Sequence, residues 1–170
     1  MTIGYLIVAL VGLHRLVELV HASRNTKVLL RRGGIEVGRG HYPLVVLLHA
    51  AWLLAVVAGL GRDSGVRWPL LAIFAVLQVA RVWVIASLGP LWTTRIITVP
   101  AQPLVRSGPY RWLRHPNYAI VVCEIATLPL VFGQVATAAA FSLLNGILIG
   151  WRVRQENAAL APRRALKGGS

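Results

Sequence analysis

The chain has 170 residues, of which 56% are hydrophobic and 14% charged, and its formal net charge is +13. A soluble domain of this length rarely carries so few charges, and apolar runs long enough to cross about 30 Å of hydrocarbon recur. The composition excludes a separate soluble domain and predicts one polytopic membrane domain over residues 1–170. It also disfavours nucleic-acid binding, because the cations lie in short loops between apolar runs rather than on one basic face.

Five predicted spans make the chain an all-α membrane helix bundle. In chain order they cover residues 3–22, 43–60, 69–88, 117–132 and 135–151. Only Gly133 and Gln134 separate the last two spans, and Pro129 comes just before them. These two spans are therefore expected to form a C-terminal helical hairpin.

Lysine and arginine residues are unequally divided between the two sides of the predicted bundle. Segments 23–42, 89–116 and 152–170 carry five, four and five of them, whereas the other side carries only Arg62 and Arg67. Basic loops of membrane proteins stay in the cytoplasm. The pattern predicts a multi-pass protein of the cell membrane with an external N-terminus and a cytoplasmic C-terminus.

Segment 89–116 is longer than a simple connection between spans requires. Its β-branched run from Leu91 to Val99 predicts a short strand, which Pro100 and Pro103 would end. Long ordered loops usually carry function, although a loop that only satisfied topology would also be basic. We therefore expect functional residues in this segment.

Four charged residues lie inside the predicted spans at one depth, on the order of 10 Å from the basic side. They are Arg15, Glu18, Arg81 and Glu124. Charges that face lipid are costly, so these side chains should face protein or water. One interpretation is a polar pocket that receives the head of a substrate, with His41 at the start of the second span. The other is structural pairing, Arg15 with Glu18 and Arg81 with Glu124, and the two interpretations are compatible.

A metal site and a catalytic thiol are both disfavoured by the sequence. His14, Glu18 and His21 share one helix face by their spacing, but the chain lacks a paired histidine–carboxylate motif and its basic surroundings repel cations. The single Cys123 lies in a span and is expected to be a small, buried apolar residue.

The stretch RSGPYRWLRHPNY, residues 106–118, concentrates donors and aromatic rings just before the fourth span. Pro116 suits the first position of a helix, so His115 would cap that helix and free N–H groups would point towards the loop. The side chains that would add donors or flat rings are Tyr110, Arg111, Trp112, Arg114 and Tyr118. Together they predict a cradle for a ligand with a carboxylate and an aromatic base.

Arg152 and Glu156 are four residues apart at the end of the fifth span, so they share one helix face. A guanidinium beside a carboxylate suits an amino-acid moiety, because arginine binds its carboxylate and glutamate its ammonium. Considered alone, the two residues could be an ordinary surface ion pair. The predicted hairpin, however, brings them to the same end of the bundle as the loop before Pro116.

The sequence GPYRWLRHPNY, followed by a span hairpin and WRVRQEN, resembles the isoprenylcysteine carboxyl methyltransferase-like integral membrane methyltransferases over about residues 104–160. The N-terminal part, with LHRLVEL, GGIEVGRGHYP and LHAAWL, is similar to a bacterial branch of that family. Members of this branch often accompany type III polyketide synthases and O-methylate their alkylresorcinol or alkylpyrone products.

The resemblance implies S-adenosylmethionine as cofactor, a lipophilic acceptor, contact with membrane lipids and a polyketide synthase that supplies the acceptor. With the reasoning above, it assigns cofactor binding to Tyr110, Arg111, Arg114, His115, Pro116, Tyr118, Arg152 and Glu156. His115, Arg152 and Glu156 are the expected catalytic residues. Many relatives have a second glutamate where this chain has Asn157, which leaves Glu156 to carry that role.

The sequence does not distinguish between the candidate methyl acceptors or between the candidate general bases. His115, Glu156 and His41 are candidate bases, and the intramembrane arginines or Arg111 could stabilise an oxyanion. Alternative functions are carboxyl methylation of a prenylated cysteine or another isoprenoid or phospholipid acceptor, a small transporter, and a membrane scaffold. The absence of a detectable repeat and of paired broken helices disfavours transport.

Overall fold

The computed structural model describes residues 2–61, 64–100 and 102–164 and is an all-α bundle, as predicted. The helices are α1 (Thr2–Arg31), α2 (Tyr42–Ala58), α3 (Trp68–Leu88), α4 (Pro116–Val131) and α5 (Val135–Arg164). The short elements are the strands β1 (Ile35–Val37) and β2 (Ile96–Thr98) and the 3-10 turns Arg39–His41, Gly89–Leu91 and Gly108–Arg111. Segments 32–41 and 89–115 lie at one end of the bundle, which we call the basic end.

Within the described ranges, three segments are long and apolar enough to cross a membrane, namely Ile3–Arg31, Trp68–Leu91 and Val135–Arg163. The other two helices, α2 and α4, are apolar but have only 17 and 16 residues. Two predicted boundaries are corrected, because α1 and α5 each have 30 residues and are about 45 Å long. Loss of apolar character at residues 22 and 151 marks the end of the hydrophobic stretch and not the end of the helix.

The predicted C-terminal hairpin is present between α4 and α5. Gly133 has a φ of 76°, and the backbone N–H of Gln134 donates to the Pro129 carbonyl across the turn. Pro129 lies inside α4 and has no N–H for the carbonyl of Ile125. The indole N–H of Trp52, on α2, donates to that carbonyl instead at 3.2 Å, so a helix-breaking residue is accommodated within the packed core.

The strand predicted between residues 91 and 99 is present but shorter, as β2. It pairs antiparallel with β1, which the sequence did not indicate, with Glu36 opposite Ile97. Arg95 donates to Glu36 at 2.9 Å, and its guanidinium lies 4.5 Å from the centre of the Tyr42 ring. The two-stranded ribbon therefore ties the connection after α1 to the connection after α3.

The four intramembrane charges form one buried network that joins α1, α3 and α4. Arg15 donates to Glu18 at 3.0 Å and to Glu124 at 2.7 Å. Arg81 donates to Glu18 at 2.8 Å and to Glu124 at 3.1 Å. Two cations and two anions thus compensate one another, which is the pairing that the sequence offered as an alternative. The crossed pairs, Arg15 with Glu124 and Arg81 with Glu18, were not foreseen.

Two further polar side chains close this network into a ring. Gln78 donates its amide N–H to Glu124 at 2.6 Å, and its carbonyl oxygen lies 3.2 Å from His14 Nδ1. The other ring nitrogen of His14 lies 3.6 Å from Glu18. His21 contacts Asn25 instead, so its side chain does not join those of His14 and Glu18.

Cys123 is exposed on α4, and the prediction that it is buried is wrong. The buried face of α4 carries Ile120, Glu124 and Leu128, which recur at helical spacing. Cys123 lies on the opposite face of the same helix, where apolar character is compatible with lipid contact.

Candidate active site

A cavity of about 390 Å³ lies at the basic end of the bundle. Its walls come from the last turns of α1 and α3, from β2, from the loop before α4, and from one face of α5. Its charged or ionisable lining side chains, apart from the tyrosines, are Arg95, Arg106, Arg114, His115, Arg152, Glu156 and Arg163. The cavity is therefore strongly electropositive, with five arginines and one carboxylate.

The face of α5 that lines the cavity carries Arg152, Glu156, Leu160 and Arg163. Their spacing of four, four and three residues places them along about 16 Å of one helix face. This face exists because α5 continues well beyond the apolar stretch. Arg163 closes the far end, donating to the backbone carbonyls of Gln102 at 2.6 Å and Pro103 at 3.2 Å.

Arg152 is buried at the inner end of this face and is only partly saturated. Its Nη2 donates to the Thr94 carbonyl at 3.0 Å, and its Nε donates to the Tyr118 hydroxyl at 3.3 Å. Its Nη1 is buried and has no hydrogen-bond partner among the described residues. An unused donor on a buried guanidinium is suited to a ligand's acceptor atom, because a buried donor without a hydrogen bond costs free energy.

Glu156, Tyr118 and His115 form a compact network on the same wall. Tyr118 donates its hydroxyl proton to Glu156, and His115 Nδ1 lies 3.5 Å from the other carboxylate oxygen. The His115 ring stacks on Tyr118 with 5.5 Å between centroids, and its Nε2 lies 3.2 Å from Asn157 Oδ1. The carboxylate and both imidazole nitrogens thus have protein partners.

The predicted start of α4 is confirmed, with Pro116 as the first helical residue and His115 as the capping residue. The His115 side chain makes no capping hydrogen bond, because the ring turns towards α5. Tyr110 also lines the cavity, and burial, with Glu156 nearby, raises the pKa of its phenol well above the ordinary value. It is therefore neutral at physiological pH.

Six of the eight cofactor residues predicted from the sequence line this cavity. They are Tyr110, Arg114, His115, Tyr118, Arg152 and Glu156. Arg111 and Pro116 are not among the lining residues. Arg111 places its guanidinium 5.8 Å from the centre of the Trp112 ring, and Pro116 is buried at the start of α4.

The residues predicted to receive a substrate head lie elsewhere. The ring of Arg15, Glu18, Arg81 and Glu124 contributes no side chain to the cavity, because these four groups are occupied with one another. His41 ends a 3-10 turn, and its side chain lies outside the described part of the structure. A role for these five residues towards an acceptor stays a prediction.

Among the lining residues that the sequence analysis did not predict, which include Arg95, Arg106 and Arg163, two carry unpaired polar atoms. Asn117 Oδ1 and Trp92 Nε1 are buried without a hydrogen-bond partner among the described residues. Asn117 lies between Pro116 and Tyr118, so the motif itself could have drawn attention to it. Trp92 lay in the run expected to be a strand, and its sequence context gives no signal that it faces a cavity.

Gly108 sets the position of the loop that carries Tyr110, and Gly108→Ala is expected to destabilise the protein. Gly108 has a φ of 57°, and an added Cβ would clash with Ser87 Oγ and lie 3.1 Å from Ser87 Cβ. Gly33 is a matched control, because its φ is 82° but its Cβ would meet open space. Gly108→Ala should lower the free energy of unfolding by about 1–3 kcal/mol more than Gly33→Ala. If unfolding curves in detergent gave equal losses of stability for the two variants, close packing of Gly108 against Ser87 would be contradicted.

The comparisons with known proteins include the part of the chain that forms most of the cavity. Residues 70–162 match the sequence profile of the isoprenylcysteine carboxyl methyltransferase (ICMT) family. The chain is 34% identical over 160 residues to the uncharacterised protein YpbQ of Bacillus subtilis, with 92% of this chain and 95% of that protein aligned. An uncharacterised protein of Haemophilus influenzae is 26% identical over 155 residues, covering 86% and 88% of the two chains. No solved structure matches the chain significantly.

Proposed function

The chain belongs to the isoprenylcysteine carboxyl methyltransferase family, and on that premise we propose that it is an S-adenosylmethionine-dependent O-methyltransferase acting on a lipophilic acceptor. The observation that carries the proposal is the buried wall formed by Arg152, Tyr118, Glu156 and His115. This wall lies within the matched residues and faces a cavity large enough for a small molecule.

The unused polar atoms of the cavity fit the cofactor. S-adenosylmethionine has a carboxylate, an ammonium group and an adenine ring, and when bound it supplies an electrophilic methyl group on sulfur. Arg152 Nη1 is a buried donor suited to the carboxylate, and Glu156 is an acceptor suited to the ammonium. Trp92 Nε1 and Asn117 Oδ1 offer one further donor and one further acceptor.

The protein's contribution to methyl transfer is orientation and charge. In-line transfer of the cofactor's methyl group to an acceptor oxygen would require the protein to hold donor and acceptor in a fixed relative orientation. Arg152 and Glu156 would fix the donor from α5, while the apolar walls from α1 and α3 exclude water. No metal is required by this chemistry.

The arrangement favours an acceptor that loses its proton easily. Glu156 already accepts from Tyr118 and faces His115, so neither carboxylate nor imidazole is an uncommitted base. The five arginines of the lining would instead stabilise an acceptor anion. A simple phenol has a pKa near ~10, whereas a hydroxypyrone is a vinylogous acid and ionises more readily.

Our preferred acceptor is accordingly an alkylpyrone or a phenolic lipid, supplied by a polyketide synthase. Its polar head would lie in the cavity and its tail among the apolar residues at the ends of α1 and α3, such as Leu29 and Leu88. The carboxylate of a prenylated cysteine, or another isoprenoid or phospholipid acceptor, is the alternative, because it too presents an anion to the arginines.

The orientation proposed from the sequence places the basic end, and with it the cavity, in the cytoplasm. A soluble cofactor would then reach the cavity from water, and a lipid acceptor from the bilayer. Arg62 and Lys167, two of the cations on which this orientation depends, lie outside the described residues, and Arg164 is described only in its backbone. This orientation predicts that a reporter that is active only in the cytoplasm will be active when it is fused to the C-terminus.

The substrate is tested with purified protein, methyl-labelled S-adenosylmethionine and three acceptors assayed in parallel. These are a long-chain resorcinol, an alkylpyrone of equal chain length and a farnesylated cysteine. We expect the highest kcat/KM with the alkylpyrone, because its anion forms at lower pH. Methylation of the farnesylated cysteine alone would refute the preferred acceptor but would still agree with an O-methyltransferase. If no methyl group were transferred to any of the three acceptors, the proposed O-methyltransferase activity would be contradicted.

A further inference from the structure

Two large apolar side chains are exposed in the loop that leads into α4. Trp112 is 69% exposed and Leu113 is 52% exposed. The other large apolar residues that the structure describes between Gly89 and His115 are buried or half-buried. Neighbouring apolar side chains that are exposed in a loop usually mark a surface that contacts a membrane or another protein.

The loop lies against the last turns of α3, near the end of the apolar segment Trp68–Leu91. The Trp112 ring meets the Trp83 ring edge-on, with 6.1 Å between centroids. Trp83 is 49% exposed and lies five residues, or about 8 Å, before the end of α3. Gly108 packs beside Ser87 on the same turns. Trp112 is thus placed as an interfacial aromatic residue.

Cations surround this apolar pair. Arg111 and Arg114 flank Trp112 and Leu113, and Arg106 precedes them; all three arginines are exposed. None of the three forms an ion pair with a carboxylate of the described residues. We call these five residues the Trp112 surface. It combines an apolar wedge with three guanidinium groups that no described carboxylate neutralises, and two of them, Arg106 and Arg114, also line the edge of the cavity.

We infer that the Trp112 surface binds the headgroups of anionic phospholipids, with Trp112 and Leu113 inserted at the membrane interface. One guanidinium group can donate to two oxygens of the same phosphate, and the aliphatic part of the arginine side chain can extend along the apolar layer. A lipid surface fits better than an acidic protein, because the wedge lies beside Trp83 on the membrane-facing side of α3. Bound headgroups would fix the loop that positions Tyr110 and His115.

The test measures which lipid touches Trp112, independently of any enzymatic activity. Protein is reconstituted in phosphatidylcholine vesicles with a fixed fraction of phosphatidylglycerol, and bromine is placed on the acyl chains of one lipid or the other. The fluorescence difference between wild type and Trp112→Phe isolates the Trp112 indole. Because each interfacial arginine enriches anionic lipid about fivefold, brominated phosphatidylglycerol should quench Trp112 at least about twofold more than equimolar brominated phosphatidylcholine.

Matched variants separate this surface from the general basic character of the protein. Arg111→Gln combined with Arg114→Gln should bring the two quenching efficiencies close to equality. Arg154→Gln removes a cation on the exposed side of α5 and should leave the twofold preference unchanged. Equal quenching by both lipids in wild type, a preference that survives the double change, or no quenching by either lipid would overturn the inference. The last result would favour an acidic protein segment as the occupant.

Discussion

Replacing Arg81 by alanine is expected to destabilise the helix bundle by about 3–5 kcal/mol, the largest effect of a single side chain that we predict. Arg81 is buried and donates to both Glu18 and Glu124. Its removal leaves two carboxylates inside the apolar layer with only Arg15 to compensate them. Equilibrium unfolding in mixed detergent micelles measures the loss.

A charge-balanced double variant tests the physical reason. Arg81→Met together with Glu18→Leu removes one cation and one anion and leaves the Arg15–Glu124 pair, which is 2.7 Å long. This variant should be more stable than Arg81→Ala, although it lacks more polar contacts. If it were less stable, uncompensated charge would not be the reason for the loss. Arg154→Ala, at an exposed position, should change the stability by less than about 0.5 kcal/mol.

Arg152→Ala is expected to weaken the binding of S-adenosylmethionine by about 10- to 150-fold, the largest predicted effect on the cavity. A hydrogen bond to a charged partner contributes about 1.5–3 kcal/mol, and Arg152 has a buried donor free for the cofactor carboxylate. The change also removes the contacts to Thr94 and Tyr118 that shape this wall. Equilibrium dialysis against labelled S-adenosylmethionine gives the dissociation constants.

Two variants on the same helix serve as controls for this measurement. Arg154→Ala removes an equal charge from the exposed side of α5 and should leave the affinity within about twofold. Arg152→Lys retains the charge but lacks the guanidinium fork, so it should bind with intermediate affinity. Unchanged affinity in a folded Arg152→Ala protein would show that Arg152 only braces Thr94 and Tyr118.

The features predicted correctly from the sequence depend on local spacing. The four-residue spacing of Arg152 and Glu156 places them on one helix face, and Pro116 fixes where α4 begins. The Gly133 turn then folds α4 back against α5, so the two halves of the motif meet without any long-range information. For the same reason, six predicted residues line one cavity, and the family resemblance of this region is confirmed.

The features that were missed depend on contacts between distant segments. The pairing of β1 with β2 joins residues about 60 apart, and three-residue strands have no pattern that specifies a partner. Hydropathy places Arg15 and Arg81 at one depth but cannot give the rotation of α1 and α3, so the crossed pairing of the buried charges was not predictable. Trp92 lies in the turn after α3, which is held by a distant residue, because Asn25 donates to the Gly89 and Trp92 carbonyls.

The most direct test of the central claim is to locate the bound cofactor on the chain. Ultraviolet irradiation of the folded protein with methyl-labelled S-adenosylmethionine attaches label to nearby side chains, and peptide mapping identifies them. We predict label in residues 91–118 and 152–163, which contribute most of the cavity wall, and its suppression by excess S-adenosylhomocysteine. Label confined to other parts of the chain, or no specific label on correctly folded protein, would contradict the assignment of this cavity as the methyl-donor site.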